Sequence, residues 1–208
     1  MSTEITYNEA AALSAKSFDE ILFGAGTYRE NMVLDEEAGT LTEQGDIVGI
    51  TDGGGKFSLK PNIVPLSLDQ SNVSREGAYV KDGEVATIEA NPTQLRAVDV
   101  TRAVIGEAAE GTGCKVIKSS EAITTGHYYK GFGFVGRTAT GKPVIVFFKT
   151  ALCTSGLEVS PKKSSQGTPT IAWECVADVN SGKNVLPYVI VWPSAATAAA
   201  ASVEEGAE

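Results

Sequence analysis

Residues 129–149 read YKGFGFVGRTATGKPVIVFFK, and no other stretch limits the local fold so tightly. Three nucleotide-binding signatures overlap in it. Gly131, Gly133 and Gly136 spell GxGxxG, Gly136 to Lys142 spell GxxxxGK, and Lys130 to Val135 spell KGFGFV, the opening of an RNA-recognition octamer. Glycines hold phosphate only where a following helix aims free N–H groups at it. Here the following residues are VIVFF, a short β-branched and aromatic run that does not open a helix. Pro143 stands where the phosphate loop needs a hydroxyl, and Arg137 where the octamer needs an aromatic. The residues read instead as a β-hairpin. Phe132 and Phe134 alternate with small residues in one strand, Thr140-Gly141 lies in the turn, and Val144 to Phe148 returns.

The rest of the chain adds no catalytic grouping. His127 is the only histidine, so a multi-histidine metal site is excluded; we read it as a surface or turn residue before a strand. Cys114, Cys153 and Cys175 are odd in number and contain no CxxC pair, which argues against zinc and a disulfide framework. Cys175, within IAWECVADV, reads as a small core residue. We expect no catalytic, cofactor or metal site and no enzyme. A net charge of -9 lacks the basic stripe of a nucleic-acid binder. No apolar run approaches membrane-spanning length, and the acidic start MSTEITYNEAAAL is unlike a signal peptide, so assembly in a cytoplasm is expected.

With 208 residues, 42% of them hydrophobic, the chain can bury a sizeable core. Residues 1–17 read as an N-terminal arm, 18–193 as the folded domain, and the Ala-rich 194–208 as a flexible tail. Ile21 to Phe23 reads as a short strand followed by a glycine turn or bulge, Asp35 to Glu37 as an acidic loop, and Ile47 to Ile50 as a strand before the turn TDGGGK. KFSLKPNIVPLSL, 56–68, reads as an edge strand interrupted by Pro61 and Pro65. The polar 69–82, DQSNVSREGAYVKD, reads as a long protruding loop. EVATIE resumes a strand. Asn91 as N-cap, Pro92 at the first helical position and Gly106 as stop predict one flanking helix over 92–105. EAAEGTG reads as a loop before strand residues 114–117. Ile171 to Val179 alternates as a strand, and the nearly continuous apolar 185–192 predicts a strand covered on both faces, by the core or by a neighbouring subunit. The fold class is mainly β: a sandwich or barrel with one flanking α-helix.

Three segments in order, ILFGAGTYRENMVLDEEAG, TDGGGKFSLKPNIVPLSLD and GKPVIVFFKTALCTSGLEVSPKKSSQGTPTIAWECVADV, resemble the major tail tube proteins of long-tailed bacteriophages, in particular those infecting Gram-positive hosts. The likeness spans roughly residues 18 to 192, and its strongest phrase runs from Gly141 to Asp178. It implies a tail tube β-sandwich that closes as hexameric rings, which stack into a hollow tube delivering DNA. It further implies a virion protein whose partners are its own copies, the tape measure protein, and the distal tail and tail terminator proteins, with DNA passing the lumen unbound and no membrane binding. By the same resemblance the 69–82 loop reaches the adjacent ring, and Arg75, Tyr79 and Lys81 are the expected contact residues. A related reading is the inner tube of a contractile tail, a tail-like bacteriocin or an injection system. The weaker alternative is a nucleotide- or RNA-binding module acting through KGFGFVGR.

Overall fold

The computed structural model describes residues 22–66, 73, 75–160, 167–179, 181–182 and 185–193. The expected N-terminal arm, the C-terminal tail and the charged turn at 161–166 lie outside the described residues. Twelve strands and one α-helix follow in the order β1 Leu22–Glu30, β2 Val33–Asp35, β3 Thr40–Glu43, β4 Asp46–Ile47, β5 Thr51–Pro65, β6 Tyr79–Pro92, α1 Ala97–Ala103, β7 Gly106–Gly111, β8 Cys114–Ser119, β9 Tyr128–Thr138, β10 Pro143–Cys153, β11 Ile171–Cys175 and β12 Tyr188–Val191. The mainly β class with one helix is therefore as expected.

Eight strands make one antiparallel sheet in the order β4-β1-β9-β10-β11-β6-β5, with β12 added alongside β10. Its two edge strands, β4 and β5, are separated in the chain by only Val48 to Ile50. The four steps from Ile47 to Thr51 span at most about 14 Å, so the sheet has to curl and bring its two edges close together at that end. Rings from distant strands meet in the interior: Tyr28 of β1 stacks on Trp173 of β11 at 6.3 Å, and Phe132 of β9 lies 4.9 Å from the same indole.

The hairpin expected at 129–149 is β9–β10, paired from Tyr128↔Leu152 to Arg137↔Pro143. Its turn is closed by Thr138 N–H to the Lys142 carbonyl and by Gly141 N–H to the Thr138 carbonyl. The glycines serve packing. A Cβ on Gly133 would collide with the Val146 carbonyl, and Gly131, at φ 52°, lies against the Met32 backbone. The unbroken run Val144 to Phe148 is explained by cover on both sides. Val146 and Phe148 face the main core with Tyr28, Ile88, Tyr129, Phe132 and Trp173, whereas Ile145 and Phe147 join Met32 in a second cluster roofed by Leu34 and Leu41 of the β2–β3 hairpin.

Several local expectations need correction. The helix is shorter than 92–105. Asn91 and Pro92 end β6, with Pro92 opposite Thr51, and the N–H groups of Thr93 and Gln94 are both directed at the Ile50 carbonyl, so the chain stays extended where the capping signal stood. Val98, Val100 and Thr101 lower helix propensity, and Ile105, at φ 50°, turns the chain before Gly106 is reached. TDGGGK is a bulged part of β5, where the register shifts between Thr51 and Gly55. EAAEGTG belongs to the β7–β8 hairpin. Ile21 lies outside the described residues, and the first strand extends to Glu30 with the expected glycine irregularity between Phe23 and Thr27. β4 stops at Ile47, and β11 stops at Cys175. β12 is only half-buried, so the chain itself does not cover both of its faces.

Candidate functional site: an uncovered β-arm

β5 and β6 pair over nearly their whole length, from Thr51↔Pro92 to Pro65↔Tyr79. β11 accompanies β6 only over Thr87 to Ala90. Beyond that point the two strands continue as a two-stranded hairpin. A bulge marks its departure from the body: Pro61 faces Glu84 and Ile63 faces Lys81, which sets Asp82 and Gly83 of β6 against the single Asn62 of β5, with Gly83 at φ 84°. The Asn62 amide donates to the Asp82 carbonyl across this bulge. From there to Leu66 and Ala78 the stem is about 15 Å long at strand rise.

Residues opposite each other on antiparallel strands share a face. On one face Val64 lies opposite Val80, with Leu66 beside Ala78, its N–H donated to the Ala78 carbonyl; on the other, Ile63 lies opposite Lys81 and Pro65 opposite Tyr79. Ile63, Val64, Leu66, Tyr79 and Val80 are between 40 and 58% exposed, so the arm is apolar on both faces and covered on neither. An isolated two-stranded hairpin is marginal in water, and a contiguous exposed apolar surface marks an interaction site.

The protruding element at 69–82 is thus partly a strand. Tyr79 to Asp82 belong to β6, residues 67–72 and 74 lie outside the described residues, and Ala78 N–H closes a turn on the Arg75 carbonyl. Tyr79 is exposed on the arm, and Arg75 sits in the turn that precedes it. The Lys81 ammonium turns back 2.5 Å to Glu84 of its own chain. The structure therefore brings the three residues into one element, with Lys81 engaged internally.

At the other end of the body the sequence reading missed a buried ionic cluster. Glu30 accepts hydrogen bonds from Arg96 at 2.6 Å and Arg102 at 2.5 Å; Arg96 also clamps Asp99 at 2.6 Å; and the Tyr129 hydroxyl donates to Asp99 at 3.3 Å. The Arg102 guanidinium lies 4.5 Å from the Tyr129 ring centre. Burial, followed by the nearby Asp99 charge, pushes the Tyr129 phenol well above its ordinary value, and the Asp99 and Glu30 carboxylates raise Arg96 further. Each charge has a partner, so the cluster pins α1 to the sheet. The i, i+3, i+6 spacing of Arg96, Asp99 and Arg102 was the available sequence signal.

His127 is a turn residue as expected, but it is buried rather than on the surface. Its Nδ1 accepts the Thr124 N–H at 2.9 Å and its Nε2 lies 2.9 Å from the Gly106 carbonyl, an arrangement that assigns the proton to Nε2 and holds the ring as a strut. Cys175 is buried as expected, its thiol pushed up to about 12 by burial and by the nearby Glu84 charge. Phe132 is fully buried and has no open face on which a base could stack. Among the described residues no group of three or more His, Cys, Asp or Glu side chains is placed to hold a metal ion, and no helix is long and apolar enough to cross a membrane.

The fold and the arm together define a mainly β protein with an exposed apolar β-arm. No protein-family model and no curated protein matches the chain.

Proposed function

We propose that this chain is the structural subunit of a bacteriophage tail tube, closing into hexameric rings that stack into a hollow conduit for DNA. The observation that carries the reading is the β5–β6 arm, apolar on both faces and bare in a single copy. A second copy of the same chain is the partner that such an arm fits in a self-stacking assembly, because a heterologous contact repeats from ring to ring. The outer edges of β4 and β12 offer further places where neighbouring copies meet. The order of the three tail-tube-like segments and the curled sheet with its flanking helix agree with the same reading.

The charge fits a conduit as well. At -9 the chain gives phosphate backbones little to hold, so DNA slides past without sticking. No catalysis is asked of it. Its other partners are those that begin, measure and end a tail: the distal tail, tape measure and tail terminator proteins. The subunit assembles in the bacterial cytoplasm and ends in the virion.

Negative-stain electron microscopy of the purified chain over a concentration series tests the reading. Rings or stacked tubes with six-fold end views are expected. Small monodisperse particles at every concentration, also when a preformed tail tip is added as initiator, would overturn it.

A further inference from the structure

Glu84 sits where the arm leaves the body, directly beside the bulge at Asp82-Gly83. Its side chain is only 5% exposed, although its neighbours along the outer half of β6 are open to solvent. One carboxylate oxygen accepts the Leu186 N–H at 2.7 Å, and the other accepts from the Lys81 ammonium at 2.5 Å and the Tyr188 hydroxyl at 3.3 Å. Two of these three contacts join positions more than a hundred residues apart. Tyr188 opens β12, which pairs with β10 in the middle of the sheet at Phe148↔Tyr188. The carboxylate is therefore a three-way clasp between the arm, the C-terminal strand and, through β10, the core.

We infer that Glu84 is the positioning residue of the arm: it fixes the direction in which the arm leaves the sheet and couples that direction to β12. Three features support this role. Gly83 has the left-handed conformation of a joint and would meet nothing within 4 Å if it carried a Cβ, so no side-chain packing at Gly83 fixes the direction of the stem, and the Asn62 bond across the bulge joins only the two strands of the arm to each other. β11 does not extend beyond Thr87 on this side, so no further strand holds β6 there. The hydrogen bonds from Leu186, Lys81 and Tyr188 also hold the Glu84 carboxyl below its ordinary range, the mark of a charge that the fold favours.

The consequence rests on the reading of the arm as the docking element. An arm aimed by a clasp meets its partner surface already oriented, which lowers the ordering cost of association. Because β12 shares the clasp and has a free outer edge, a copy that pairs with β12 acts on the same carboxylate that aims the arm. Lateral and axial contacts are thereby linked through one side chain.

The test is a distance measurement in the unassembled chain. Spin labels at Val64→Cys on the arm and Lys149→Cys on β10, in a Cys114→Ser background, report the arm's direction by pulsed electron resonance. A narrow distance distribution is expected in the parent and one at least twofold broader in Glu84→Ala, with the hydrogen exchange of β9 and β10 amides unchanged. If Glu84→Ala does not fold, Lys81→Met/Tyr188→Phe removes two of the three contacts and is expected to broaden the distribution in the same way. Equal widths in the parent and the folded variant would overturn the proposal. The outcome is independent of tube formation: broadening in a chain that never forms tubes upholds the clasp and removes the tail-tube reading, whereas tubes from a chain with equal widths do the reverse.

Discussion

Replacing one apolar residue on each face of the arm, Ile63→Ser with Val80→Ser, separates assembly from folding. The two side chains are 58% and 46% exposed, so about half of each remains available for burial against a partner. Full burial of such a side chain is worth about 1.5–3 kcal/mol, and half of that for two residues again gives roughly 1.5–3 kcal/mol per arm. Since 1.4 kcal/mol is tenfold in an equilibrium, the concentration needed for assembly should rise about 10- to 150-fold. The monomer should notice little, because surface substitutions usually change stability by about 0.5 kcal/mol or less. Sedimentation of assembled material across a dilution series, paired with urea unfolding of the dilute monomer, reads both quantities. An unchanged assembly threshold alongside unchanged monomer stability would refute the role given to the arm. A large loss of monomer stability would show instead that these residues serve the fold.

Glu30→Ala removes the carboxylate shared by Arg96 and Arg102, and should cost about 2–4 kcal/mol; the figure stays below that of a fully buried pair because both arginines reach solvent and Arg96 keeps Asp99, and thermal unfolding followed by circular dichroism measures it. Gly133→Ala places a methyl against the Val146 carbonyl at the centre of β9–β10 and should cost about 3 kcal/mol or prevent folding, as urea titration will show. The Glu84 carboxyl is held low in the fold, so its contribution is complete above the unfolded value of about 4.3 and is lost only as pH falls through the lower folded value; the protection of the arm amides, taken relative to the intrinsic exchange rate at each pH, should stay constant from pH 7 to about 5 and fall in stronger acid. Lys81, Tyr188 and Cys175 are the other titratable groups around that carboxyl, and burial raises both the Tyr188 phenol and the Cys175 thiol, so neither ionises in this window. Pro61→Thr/Pro65→Thr returns two N–H donors to the arm and should convert ordered assembly into irregular aggregation, visible by electron microscopy and light scattering.

What the sequence disclosed follows from how local each cause is. The β9–β10 hairpin was legible because alternation, turn glycine and return strand all lie within 21 consecutive residues. Pro61 and Pro65 likewise announced an edge strand, and β5 is one. The helix was misplaced because Asn91-Pro92 is a sound capping signal overridden by a partner 41 positions away: Pro92 lies opposite Thr51. The β2–β3 hairpin was hidden by its acidic turn, although Asp35 serves that turn by accepting the N–H groups of Glu37 and Ala38. Only the second strand of the arm reads as a polar loop, because Tyr79 and Val80 are few among polar neighbours, whereas the apolar residues they join on the two faces, Ile63, Val64 and Leu66, belong to the edge strand before it. Glu30 and Arg102 meet across 72 positions, and Glu84 and Tyr188 across 104, so the local i, i+3 pairs Arg96–Asp99 and Lys81–Glu84 gave no sign of the distant partners that complete each cluster.

The same prolines bear on how a chain with an exposed apolar arm avoids indiscriminate sheet growth. Leu66 gives its N–H inward to Ala78, so the alternation of the ladder points the Pro65 nitrogen at the outer edge, where proline has no proton to donate. Pro61, opposite Glu84, also offers no donor, and the register shift between Pro61 and Ile63 breaks the ladder between them. An incoming strand therefore finds an interrupted row of donors along this edge, flanked by the charged Lys56 and Lys60. The faces carry no such obstacle. Ile63 and Tyr79 on one side, and Val64, Val80 and Leu66 on the other, remain open to a complementary apolar surface. Edge pairing at the arm is thus discouraged while face docking is left available, and face docking selects its partner by shape, which backbone pairing along a bare edge does not require. In the proposed tube, where copy docks on copy, that division between a blunted edge and an open face keeps the contact selective.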